Sequence, residues 1–231
     1  MKKLFKIGLL FLFFIPSFCF SLEVPKLDSY INDFSNTLNI SQKNEIESLL
    51  ENFNNETSNQ IVVLIINSLE DESLEDYSLK VAEKNKIGQE ETDNGILFLV
   101  SKKDQVMRIE VGYGLEGYVT DAKSSYIIRN IIAPEFQKEE YYQGVKNGLE
   151  EIIKLSNNAN YLNDKIPEEE SVPIILQIIF FIIFIIIIIR HPWLLLFLGR
   201  SGGGSSGRSG GFGGFKGGGG GFGGGGSSGS W

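Results

Sequence analysis

The sequence predicts an α/β domain built on a small mixed β-sheet with helices on both faces, followed by one transmembrane helix and a disordered tail. Three observations carry this. Gln60-Ile61-Val62-Val63-Leu64-Ile65-Ile66 is an unbroken, mostly β-branched run, and a strand without alternation is one covered on both faces. Gly95 to Val100 repeats that character and is joined through the polar loop Ser101–Gln105 to Val106–Val111, a hairpin pattern. The segments around these strands carry apolar residues at helical spacing.

Taken in order, Leu27 to Phe34 reads as extended or irregular lead-in. Ser41 to Asn54 is a helix capped by Ser41, with Ile46, Leu49, Leu50 and Phe53 on one side. After the first strand, Ser73 to Asn85 is a second helix, with Leu74, Tyr77 and Val81 inward. The strand from Val106 points Met107, Ile109 and Val111 inward and Arg108 and Glu110 outward, which predicts one wet face near a sheet edge. Asp121 to Ile132 is a helix that Pro134 breaks, and Glu139 to Ser156 is the last. The order α-β-α-β-β-α-α, with a right-handed crossover between the first two strands, gives the mixed sheet.

The ends of the chain address a membrane. Residues 1–21 place three lysines before an apolar run, with Cys19 and Ser21 at −3 and −1 of a cleavage site before Leu22: a signal peptide. A lipoprotein signal at Cys19 is disfavoured by the bulky Phe18. Residues 22–156 form the domain and 157–171 an acidic linker. Val172 to Ile189 is an apolar block whose only polar member is Gln177, long enough to span a bilayer core. Acids precede it, and only Arg190, Arg200, Arg208 and Lys216 follow, so the positive-inside rule places the domain outside and residues 190–231 in the cytoplasm. From Gly199 onward 19 of 33 residues are glycine, a composition that predicts disorder, with Phe212, Phe215, Phe222 and Trp231 as spaced aromatic contacts.

Charge and absent residues exclude several functions. All 29 acidic residues lie between Leu22 and Val172, where the net charge is −15, so nucleic acid is not an expected partner. The single Cys lies in the leader, leaving a mature chain without a disulfide. The sole His, His191, follows the apolar block, so the domain has no Ser-His-Asp triad or His/Cys zinc site. Gly112-x-Gly114-x-x-Gly117 matches the dinucleotide fingerprint in letters, but Tyr-Val-Thr-Asp separates it from the next helix and no acid follows at the right place, so no organic cofactor is expected.

The remaining chemistry sits at the two ends of the hairpin. Asp93 and Asn94 precede one strand, and Glu116 and Asp121 follow its antiparallel partner, so all four come to the same end of the sheet. Carboxylates with exposed main-chain carbonyls suit hard cations, and Asp93, Asn94, Glu116 and Asp121 are the candidate ligands of a divalent cation, calcium first. Ordinary turn chemistry at Asp93-Asn94-Gly95 and a helix cap at Thr120 or Asp121 fit the same residues.

At these positions the chain resembles the TPM-domain family. The shared features are Asp33-x-x-x-x-Leu38-x-x-Ser41, Thr57-x-x-Gln60-Ile61-Val62-Val63, Gly88, Asp93-Asn94-Gly95-Ile96-Leu97, Ile109-Glu110-Val111-Gly112-Tyr113-Gly114-Leu115-Glu116-Gly117, Thr120-Asp121, Ile132-x-Pro134 and Tyr142-x-x-Gly144. Signal, single span and a Gly/Phe-rich tail ending in Ser-x-Trp are similar to the family's bacterial membrane branch, while Asn85-Lys86 stands where an aromatic is expected. The resemblance implies a TPM-type sandwich and a calcium-type site in an acidic pocket. It also implies a range of roles: photosystem repair, weak acid phosphatase activity, and accessory subunits of animal ion channels. The expected function is a membrane-tethered extracytoplasmic module binding a divalent cation and an envelope protein. The alternatives are a weak metal-assisted phosphatase and a non-catalytic scaffold using the Gly-rich tail.

Overall fold

The computed structural model describes residues 22–163, residue 190 and residues 218–231. The expected leader and the apolar block 172–189 lie outside these, and among the described residues no helix is long and apolar enough to cross a membrane.

The chain builds β1 (Ile31–Asp33), α1 (Ile40–Thr57), β2 (Gln60–Ile66), α2 (Leu74–Lys84), β3 (Gly95–Ser101) and β4 (Val106–Gly112). A short 3-10 turn (Tyr113–Leu115), α3 (Asp121–Ile127), a π-helical stretch (Ile128–Ile132), α4 (Ala133–Phe136) and α5 (Tyr141–Asn157) follow, and β5 (Phe222–Ser230) closes the chain. The five strands form one sheet in the order β1-β2-β3-β4-β5. β1, β2 and β3 are parallel, whereas β3/β4 and β4/β5 are antiparallel. The sheet is therefore mixed, as the sequence predicts.

Alternation along each strand divides the core. Ile61, Val63, Ile65, Ile96, Phe98, Val100, Met107, Ile109 and Val111 face α1 and the α3–α5 layer. Val62, Leu64, Ile66, Leu97 and Leu99 face Tyr77, Val81 and Ala82 of α2. Helices thus cover both faces, which is why β2 and β3 show no polar position except at their ends.

Five local expectations are corrected. The lead-in contains β1, held against β2 by main-chain bonds and tied to α1 by Glu47, whose carboxylate accepts the Tyr30 and Ile31 N–H groups. The cap of α1 is Asn39, not Ser41: its side chain accepts the Gln42 N–H while Gln42 returns a bond to the Asn39 N–H, a capping box. Pro134 does not break the helix. It sits in the first turn of α4, where a missing N–H costs little, after the π-helical stretch has redirected the Ala133 N–H to the Ile128 carbonyl. β4 has no wet face: Arg108 is 5% exposed and Glu110 0%, covered by α2 and β5. Residues 218–231 are not disordered. Their edge pairs with β4 from Val106↔Ser230 to Gly112↔Phe222, so the ladder supplies the hydrogen bonds that a Gly-rich segment cannot obtain from a core of its own.

Candidate functional site

The turn residues that flank the hairpin meet as the sequence predicts. Gly112 and Gly114 run so close to the preceding turn that an added Cβ would lie 2.4 Å from the Asp93 carbonyl oxygen at Gly112 and 1.8 Å from that of Thr92 at Gly114. The Gly114 N–H donates to the Asp93 carbonyl at 3.1 Å. The glycines are thus required by main chain packed on main chain, not by a phosphate. Asp93 itself takes a left-handed conformation (φ 50°), which Asp tolerates better than most residues.

Each predicted acid has a defined place, and the common neighbour is β5. Asp93 Oδ1 accepts the Gly221 N–H at 2.5 Å. Asp121, in the first turn of α3 behind the cap Thr120, accepts the Gly226 N–H at 2.7 Å through Oδ1. Glu116 is half-buried and lies so close to Gly225 that a Cβ there would be 2.3 Å from Oε1. Asn94 is apart from these: its Oδ1 accepts the Gln89 N–H and its amide donates to the Ser58 carbonyl. Asn94 thus pins the turn and does not face the acids.

Glu116 and Asp121 stand at neighbouring residues of β5, whereas Asp93 accepts from Gly221, beyond the irregularity that lies between Gly225 and Phe222. Calcium ligands all lie within about 2.6 Å of the ion. Among the described residues no three acids, His or Cys converge as a metal cluster.

Beneath β5 lies a polar group that sequence reading missed. Arg108 Nε donates to Glu110 Oε2 at 2.5 Å, with side chains 6% and 0% exposed. The two remaining guanidinium arms hold the last strand: Nη2 donates to the Gly224 carbonyl at 2.9 Å and Nη1 to Ser228 Oγ at 3.0 Å. Ser228 Oγ donates onward to Glu75 Oε1 at 2.6 Å, and Ser78 Oγ donates to Glu110 Oε2. Glu110 Oε1 is buried without a hydrogen-bond partner. Burial pushes the Glu110 carboxyl above its usual range, against the pull of Arg108, Ser78 and the Gly224 main chain. The bond from Ser228 holds Glu75 below its usual range. The available signal was the Arg-x-Glu pair on one face of β4: opposite charges two residues apart on a strand are neighbours that can be buried together.

The fold and this edge define a small α/β domain with a fifth strand laid on its antiparallel hairpin. The chain belongs to the TPM domain family, whose model matches residues 31–155. Among solved structures it is similar to the N-terminal domain of a protein from P. gingivalis, at 26% identity and a TM-score of 0.54, covering 60% of this chain and 95% of that one. It is also similar to the BA42 protein of the psychrophilic bacterium Bizionia argentinensis, at 19% identity and a TM-score of 0.49, covering 60% of this chain and 90% of that one. An N-terminal domain from Corynebacterium glutamicum aligns at 15% identity and a TM-score of 0.45, covering 58% of this chain and 85% of that one. Among curated proteins, none matches this chain.

Proposed function

We propose that this chain is a membrane-tethered, extracytoplasmic TPM module that works by binding, and that its partner is a protein segment added as a strand to β4. The observation that supports this is the grip of buried Arg108 on a strand that is not part of the hairpin, through the Gly224 carbonyl and Ser228 Oγ. Main-chain pairing supplies affinity in such an arrangement, and side-chain pockets supply selectivity. The direct test is a labelled peptide of residues 218–231 added to a chain truncated after residue 217. Saturable binding that Arg108→Met abolishes supports the reading, and no binding removes it.

A second reading keeps the divalent cation. It is favoured by three carboxylates, Asp93, Glu116 and Asp121, lining one flank of β5 with oxygen donors. Here calcium competes with the strand for those oxygens. Calcium would then raise the thermal midpoint of a chain truncated after residue 217 more than that of the full chain. Equal, zero shifts in both would eliminate it. The phosphatase alternative gains nothing from this geometry, since the one buried cation in the group, Arg108, is spent on Glu110 and β5.

A further inference from the structure

We propose that residues 218–231 are the domain's own strand ligand, each molecule's C-terminal segment occupying its own β4 edge and therefore lying on the domain's side of the membrane. This rests on the strand-addition reading above and names the occupant.

The segment fits the edge position by position. Its glycines are not filler. Gly226 has φ +113°, and a Cβ there would lie 1.9 Å from the Ile109 carbonyl oxygen. Gly223 lies against the Tyr113 ring, where a Cβ would come within 2.3 Å of the hydroxyl, and Gly229 lies against Ile128. A side chain at Gly226 collides with backbone, and at Gly223 and Gly229 it would displace the Tyr113 ring and the Ile128 side chain. The aromatic residues do the reverse and enter pockets on opposite faces of the sheet. Phe222 is 7% exposed and joins the α2-side core with Val81, Ile87 and Leu97. Trp231 packs edge-on to Phe136 at 4.8 Å between centroids and to Tyr141 at 6.1 Å. Between these anchors come the two Arg108 bonds. Before them, Gly218 and Gly219 donate to the Gly88 and Lys86 carbonyls, and the Glu90 N–H donates to the Gly218 carbonyl. Main-chain contact therefore runs from Gly218 to Trp231, whose N–H donates to the Gln105 carbonyl.

The tether favours self-occupancy. The residues between Asn163 and Gly218 are numerous enough for their contour to reach any point of the domain, and pairing within one chain is an intramolecular event with a raised effective concentration. Self-pairing is also incompatible with residues 172–189 making a single crossing. A tail in the cytoplasm cannot complete a sheet outside, in its own molecule or in a neighbour of the same orientation.

The Trp231-to-Gln105 bond makes Val106 and Ser230 a non-hydrogen-bonded pair, the type whose side chains stand closest. The test is the full chain carrying Cys19→Ala, Val106→Cys and Ser230→Cys, oxidised mildly in intact native membranes and read on non-reducing gels and by mass. The expected result is a monomer with an internal disulfide, which Gly226→Val reduces at least fivefold. A disulfide-linked dimer would overturn self-occupancy in favour of exchange between copies. Two free thiols in membranes, with crosslinking only after detergent, would overturn it in favour of a single crossing. In both cases peptide binding to the truncated chain would leave the groove itself standing, so the two proposals fail separately.

Discussion

Replacing Arg108 by Met makes the buried pair under β5 measurable. The substitution keeps the apolar volume, removes the charge and leaves Glu110 0% exposed, with Ser78 as its remaining side-chain donor. Losing one partner of a buried ion pair costs about 3–5 kcal/mol when the other stays charged. Glu110 need not stay charged. Burial already raises its pKa, and loss of the guanidinium removes the largest force opposing that rise. The sign follows. A carboxyl whose folded pKa is raised contributes most at pH below its unfolded value of 4.5 and loses that contribution as pH rises through the folded pKa. Arg108→Met is therefore mild near pH 4.5 and costs the full amount at pH 8. Release of β5, which would wet Glu110, caps the loss at the strand's own hold. The assay is thermal unfolding of the detergent-solubilised full chain at both pH values beside the unmodified chain. Destabilisation that is equal at pH 4.5 and pH 8 would refute a Glu110 held neutral by burial. The double variant Arg108→Met/Glu110→Leu should then recover most of the pH 8 loss, because a well-packed apolar pair replaces the ion pair.

Three further outcomes are expected. Gly114→Ala should cost about 1–3 kcal/mol, because its Cβ would stand 1.8 Å from the Thr92 carbonyl oxygen, a main-chain atom that cannot rotate away; thermal melting reads it. Trp231→Ala should cost about 2 kcal/mol, less than a fully buried Trp because the ring is only partly covered, and should cut the Val106–Cys/Ser230–Cys crosslink in proportion. Ser228→Ala should return Glu75 toward its ordinary pKa, with its own main-chain N–H, Ser73 and the Arg108 charge still holding it down. Since a lowered carboxyl pKa gives stability present above 4.5 and lost as pH falls through the folded value, the unmodified strand should loosen in acid, and the variant should loosen less over the same range. A crosslink yield measured from pH 6 down to pH 3 follows this.

What was legible in the sequence is what packing writes into periodicity. β2 and β3 show it as unbroken apolar runs, and α2 shows it in both cap and face: Ser73 is the N-cap, and Tyr77 and Val81 are buried. The meeting of Asp93 with the Gly112–Gly114 turn needed only the hairpin, and the structure has it. β1 was not legible because three residues carry too little pattern and owe their strand geometry to β2 and Glu47. The outward reading of Arg108 and Glu110 was sound as alternation. It failed because the residues that bury them, Gly224 and Ser228, lie more than a hundred positions away.

β5 shows why composition misleads here. Low complexity predicts disorder when a segment must offset its chain entropy with its own buried surface. This one does not. It borrows the open edge of β4, buries Phe222 and Trp231 in pockets other elements have already built, and uses glycine because the edge leaves no room for Cβ at Gly226 or Gly229. The three acids of the expected cation site take on another role. An edge strand with unpaired N–H groups needs acceptors, and Asp93 and Asp121 supply them at Gly221 and Gly226. The carboxylates that suggested a metal thus lie along the polar flank of the fifth strand.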